Sequence, residues 1–163
     1  MNNEMFMQEA LKFAEKAFKK NEVPVGAIIV KDGKIIAKAY NKRQKCQNAL
    51  YHAEILAINK ACKKLKSFRL ENCVMYVTLE PCPMCSGAII NARLQKVYFG
   101  CYDANYGCCG SLYNFLEDKN FEHIVEVEGG LLQEDCSKIL KTFFENLRKV
   151  KKQAKKVKTL TNK

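Results

Sequence analysis

Apolar residues recur along this chain with two distinct periods. From 6 to 19 they fall at Phe6, Ala10, Phe13, Ala14 and Ala17, the three-to-four spacing of one helix face. Asn21 and Glu22 close that run. Residues 23–30 are apolar and β-branched, and Pro24 is tolerated where a strand begins. Asp32-Gly33 predicts a two-residue hairpin turn, and 34–40 a second strand with Ile35 and Ile36 as core candidates. Residues 41–50 are polar and irregular, which predicts a loop. The helical period returns over 52–65, with Ile55, Leu56, Ile58, Ala61 and Cys62 inward and Lys60, Lys63 and Lys64 outward. Residues 73–79 read as a buried strand.

Pro81-Cys82-Pro83 opens a helix to about residue 94, because proline is tolerated in a first turn. A short strand over 96–99, a glycine-containing loop over 100–111 and a short helix over 112–116 follow. A strand over 123–127 is expected next, then a break at Gly129-Gly130. The last helix is expected from 133 to about 151, with Ile139, Leu140, Phe143, Phe144 and Leu147 inside. Strands separated by helices imply parallel pairing through right-handed crossovers. The first hairpin adds an antiparallel pair. The expected fold is α/β, with one mixed sheet of about five strands and helices on both faces.

Length changes this picture little, since 163 residues make one ordinary domain. No apolar run approaches the roughly 20 residues that cross a bilayer. The first residues carry no basic stretch followed by an apolar one, so no secretory signal is expected. Nine cysteines are too few for a disulfide scaffold at this length, which predicts reduced thiols and a cytoplasmic protein. The net charge of +11 is uneven. Residues 148–163 hold eight Lys or Arg and no acid, leaving the 20 basic and 17 acidic residues of 1–147 at only +3. The chain divides into a domain over 1–152 and a basic C-terminal tail over 153–163, expected as a frayed helix end and a mobile arm. Such an arm favours polyanions.

The candidate chemistry lies in two short motifs. With only His52 and His123 in the chain, a three-histidine metal site is excluded and a serine-histidine-aspartate triad nearly so. His52-Ala53-Glu54 and Pro81-Cys82-Pro83-Met84-Cys85 both stand at helix starts. Cys82 and Cys85, three apart, share one face, and a helix N-terminus favours the thiolate. Two thiolates select zinc over magnesium or calcium. His52 makes a third ligand, and three protein ligands with a fourth position left for water is the pattern of catalytic zinc. Glu54, two residues after His52, is the candidate proton acceptor. His123 reads as structural. A thioredoxin-like redox role for Cys82 and Cys85 is disfavoured by the Pro83-Met84 spacer.

These motifs resemble the signature of zinc-dependent nucleoside and nucleobase deaminases. The resemblance is nearest to tRNA-specific adenosine deaminases. It extends to Glu22-Val23-Pro24-Val25-Gly26-Ala27, Asn41, Val97-Tyr98-Phe99-Gly100, Asp103, Gly107, Gly110-Ser111-Leu112, Glu128-Gly129-Gly130-Leu131 and Phe143-Phe144, covering about residues 4–152. Departures fall at Asn48-Ala49-Leu50-Tyr51, Tyr102, Asn105-Tyr106 and Cys108-Cys109. The resemblance implies a three-layer α/β/α cytidine-deaminase-like fold. It implies one zinc per chain on His52, Cys82 and Cys85, and Glu54 as the proton shuttle. It also implies substrate contacts from Asn41, Ala53 and Pro81, and a homodimer. The implied reaction is adenosine to inosine at the first anticodon base of a tRNA, with an arginine tRNA expected. The alternatives are a cytosine, guanine or free-nucleoside deaminase on the same fold, or an inactive zinc-bearing RNA-binding module.

Overall fold

A computed structural model describes residues 2–161 of the chain, with side chains over 2–156. The elements in order are α1 (Asn3–Phe18), β1 (Gly26–Lys31), β2 (Lys34–Tyr40), α2 (Arg43–Cys46), α3 (Ala53–Leu65), β3 (Cys73–Leu79), α4 (Pro83–Asn91), β4 (Lys96–Cys101), β5 (Glu126–Gly129) and α5 (Gln133–Thr161). The five strands form one mixed sheet in the order β2-β1-β3-β4-β5.

The hairpin forms where Asp32-Gly33 predicts it. Both residues have positive φ, 48° and 71°, the backbone a two-residue primed turn demands. Strand direction follows expectation, but one neighbour does not. β3 pairs antiparallel with β1 rather than parallel with β2, so β1 lies between β2 and β3. β3–β4 and β4–β5 are parallel.

Alternation along the central strands builds two apolar layers. Ala27 and Ile29 of β1, with Cys73, Met75 and Val77 of β3, face α3 and α4. Ile28 and Val30, with Tyr76, face α1 and the start of α5, where Met7, Ala10 and Cys136 are buried. The three-layer arrangement is therefore as expected. Gly26 makes the closest approach: a Cβ there would overlap the Ala10 carbonyl oxygen and lie 2.6 Å from the Ala14 nitrogen. That contact seats α1 on the sheet.

Several expected elements are corrected. The loop after β2 contains the short helix α2, whose N–H groups of Gln44 and Lys45 donate to the buried Glu22 carboxylate at 3.1 and 2.7 Å. No helix forms over 112–116. Gly110 N–H bonds the Tyr113 carbonyl and Phe115 N–H the Cys108 carbonyl, so the segment folds back as turns. The last strand lies at Glu126–Gly129 rather than 123–127, because its register is set by pairing Lys96 with Glu126 and Phe99 with Gly129. His123 precedes it and bonds the Leu94 carbonyl through Nε2 at 2.7 Å, the structural role expected.

The last helix also differs. It does not fray near 151 but continues to Thr161. Phe144 and Leu147, expected inside, are 40% and 38% exposed, while Ile139, Leu140 and Phe143 are half-buried. The tail reading over 153–163 thus meets helical backbone as far as 161, and residues 162–163 lie outside the described part. All nine cysteines are free thiols. Among the described residues no helix is long and apolar enough to cross a membrane.

Candidate active site

β2 and β3 run parallel, and both lead into helices at the same end of the sheet. In α/β sheets the carboxyl ends of parallel strands are where ligand crevices open. The two helices that begin there, α3 and α4, present the two motifs to one another.

His52 is the N-cap of α3, with extended backbone and no capping bond from its side chain. Cys82 is the N-cap of α4, also without a side-chain cap, and Pro83 follows in the first turn. Residues at N-caps usually serve the helix. These two turn their side chains to each other instead. The His52 Nδ1 lies 3.7 Å from Cys82 Sγ and 3.6 Å from Cys85 Sγ. Their three ligand atoms all lie within 4.8 Å of one another. A nitrogen and a sulfur bound to one tetrahedral zinc, at roughly 2.05 and 2.3 Å, stand about 3.5 Å apart. The geometry therefore fits zinc.

Charge fits it too. Cys82 is held as a thiolate, its pKa lowered to about 4 by the Cys85 thiol and then by His52. Cys85 is pushed the other way, because its thiol hydrogen-bonds the Cys82 sulfur and is buried. His52 is pushed up by its contact with Cys82. Two sulfurs competing over one negative charge is the arrangement a divalent cation relieves. Zn²⁺ with two thiolates and a neutral imidazole sums to about zero.

Glu54, in the first turn of α3, is only 4% exposed. Burial raises its pKa to about 7, so the carboxyl can take and release a proton near neutrality. The Cys85 thiol is its hydrogen-bonding neighbour.

Asn41 and Pro81, two of the expected substrate residues, have polar atoms already engaged within the fold. Asn41 is buried; its Nδ2 donates to the Val23 carbonyl and its Oδ1 accepts from Arg43 N–H, each at 3.3 Å. Ala53 is buried at the α3 start. The Pro81 carbonyl accepts Cys108 N–H at 2.9 Å. Sequence reasoning missed two buried carboxylates, Glu22 and Glu80. The signal for Glu80 was present, since it is an acid placed between an apolar strand and Pro81-Cys82.

The MafB19-like deaminase family model matches residues 1–148. The chain belongs to the MafB19-like deaminase family. Over 154 residues it is 50% identical to the tRNA-specific adenosine deaminase of Bacillus subtilis (strain 168), covering 94% of this chain and 96% of that protein. The protein of the same description from Aquifex aeolicus is 46% identical over 148 residues, 91% of this chain and 97% of its own. Among solved structures, one from a study of A-to-I editing by tRNA:A34 deaminases at the wobble position of transfer RNA superposes with a TM-score of 0.81. It is 38% identical and covers 83% of this chain and 99% of its own. A guanine deaminase from Bacillus subtilis, also 38% identical, superposes less fully, with a TM-score of 0.61 over 66% of this chain and 72% of its own. The family membership and the three-layer fold expected from the motifs are thus borne out.

Proposed function

We propose that this protein is a hydrolytic tRNA adenosine deaminase that converts adenosine to inosine at the first anticodon base. The observation that carries this reading is the convergence of His52, Cys82 and Cys85 beside a buried Glu54 in a chain similar over nearly its whole length to tRNA-specific adenosine deaminases. The chemistry of zinc deaminases then assigns the parts.

His52, Cys82 and Cys85 would hold one zinc per chain. When bound, zinc supplies a Lewis acid that polarises a water for attack. Glu54 does the proton work. Its carboxylate accepts a proton from the attacking water and delivers one to the ring nitrogen, which makes C6 electrophilic. It then passes a proton to the departing amine. Adenosine and water become inosine and ammonia. Burial of Glu54 supports this role, because a carboxyl kept near neutrality gives up its proton as readily as it takes one.

Asn41, Ala53 and Pro81 form the wall that receives the base. Asn41 is braced on Val23 and Arg43, which holds its amide still. The N-terminus of α3 at Ala53 presents backbone N–H groups suited to developing negative charge. Anticodon bases are unpaired, so the target can be turned out into a pocket without breaking a duplex. An arginine tRNA is the proposed carrier.

The assembly is a homodimer. Support comes from α4, where Met84, Ala88 and Ile90 remain half-buried and a Cβ on Gly87 would meet no atom within 4 Å. Nine free thiols and a tRNA substrate fit action in the cytoplasm. Residues 1–152 serve as the deaminase domain and 153–163 as its basic extension.

The selective test compares substrates. An anticodon stem-loop should be deaminated in preference to free adenosine, cytosine or guanine. Rapid deamination of free cytosine or guanine, with no inosine formed in RNA, would move the protein to a free-base class.

A further inference from the structure

Deamination as assigned uses Glu54 and leaves a second buried carboxylate unexplained. Glu80 is 2% exposed and lies two residues before the ligand Cys82. Its Oε1 accepts the N–H of Cys109 at 3.0 Å and of Ser111 at 2.9 Å. Its Oε2 accepts the N–H of Asp103 at 2.9 Å and the hydroxyl of Ser111. A buried carboxylate requires this degree of satisfaction. All four donors belong to one segment, residues 103–111. Gly107 lets that segment pass close, since a Cβ there would overlap the Glu80 carboxylate.

The same segment touches the site on its inner side. Cys108 N–H donates to the Pro81 carbonyl at 2.9 Å, and the next residue is the ligand Cys82. Cys109 Sγ lies 3.5 Å from Ser86 Oγ, beside the ligand Cys85. On its outer side the segment and its continuation hold Tyr106 and Tyr113 into solvent, 67% and 62% exposed. Large apolar rings held outward on a pinned backbone are pre-organised to meet a partner surface.

We propose that Glu80 is a positioning residue for the deamination: its buried carboxylate folds residues 103–111 into a fixed wall on the Cys82 side of the site, against which the polynucleotide substrate is held. The role of the wall rests on the function proposed above; the role of Glu80 in fixing it does not. A purely structural Glu80 would stabilise the fold and leave substrate affinity alone.

The experiment uses the zinc-loaded full chain and Glu80→Gln, which keeps the shape and removes the charge. Four donors converge on this side chain, so an amide leaves at least one buried N–H without an acceptor. Zinc content, melting temperature, amide hydrogen exchange, and kcat and KM on an anticodon stem-loop are measured together. Zinc should stay near one per chain. Exchange at Asp103, Cys109 and Ser111 should accelerate while amides of β3 and α3 stay protected as in the parent. KM should rise about tenfold, the scale of one orphaned buried donor, with a smaller change in kcat. Ser111→Ala, which deletes one donor, should move the same quantities less and serves where Glu80→Gln does not fold. Unchanged exchange in 103–111 overturns the role of Glu80 whatever the substrate. A fall in melting temperature with KM unaltered also overturns it. Failure of the parent protein to deaminate any RNA would instead overturn the proposed function, leaving the exchange result to judge Glu80.

Discussion

Deleting residues 151–163 should weaken tRNA binding without harming the fold. The segment contains six lysines and no acid. Its helix continues to Thr161, and every described side chain from 148 to 156 is exposed. The last residue of α5 with a ring contact to the body is Phe143, set edge-on against Phe18 at 5.8 Å. Removal past 150 therefore exposes no buried core, and the melting temperature should be unchanged. Lys151, Lys152, Lys155 and Lys156 form two adjacent pairs four residues apart, which gathers them on one side of the helix. If that side lies along the RNA, three or four phosphate contacts disappear. Each contributes roughly 0.7–0.9 to the slope of log affinity against log salt, so the slope should flatten by about 3. Between roughly 50 and 200 mM salt, the full chain should lose about 60-fold more affinity than the truncated one. Fluorescence anisotropy with a labelled stem-loop across a salt series measures this, and turnover at saturating substrate should be unaffected. An unchanged slope would refute the phosphate contacts and leave the lysines a solubilising role.

Three further outcomes are expected. Glu54→Ala should keep zinc and RNA binding but lower turnover by about 10²–10⁴-fold or more, measured by single-turnover inosine formation; near-normal turnover would remove Glu54 from the proton path. Cys82→Ala or Cys85→Ala should lose both zinc and activity and lower the melting temperature, because the metal ties the starts of α3 and α4 together; elemental analysis showing a full complement of zinc would contradict the ligand set. Gly26→Ala should destabilise the fold by about 1–3 kcal/mol or more in denaturant unfolding, since its methyl would enter the α1 backbone at Ala10 and Ala14; a change within experimental error would refute the packing described.

The sequence was most legible where one physical cause acts alone. The hairpin follows from Asp32-Gly33, and β3 from an apolar run with clear ends. The cluster of His52, Cys82 and Cys85 was legible because these residue types at this spacing have few chemical uses in common. What it hid arises from long-range pairing and from single polar residues. Nothing local in β1 says that β3 will pair with it. Glu126 and Glu128 of β5 are exposed and ion-paired to Lys96 at 3.8 and 3.1 Å, so β5 carries little apolar signal to mark its ends. Residues 112–116 have an apolar spacing that suits a helix, yet Ser111 is captured by Glu80 and the chain turns instead. The apolar pattern of α5 also departs from its burial at the far end. Phe144 and Leu147 keep the helical period of the buried stretch, but the helix has by then run past the body that would cover them. Glu22 and Glu80 were invisible to hydrophobic periodicity because each replaces an apolar neighbour with a buried charge that backbone donors satisfy.

Inosine made at one base of tRNA is the activity on which the other assignments depend. Its most direct measurement is to incubate the purified zinc-loaded protein with total tRNA from its source and map inosine by sequencing, with Glu54→Ala as the control. Inosine is expected at the first anticodon position of a small set of tRNAs, an arginine tRNA among them, and none with the variant. Inosine absent from every tRNA, or formed equally by Glu54→Ala, would contradict that activity.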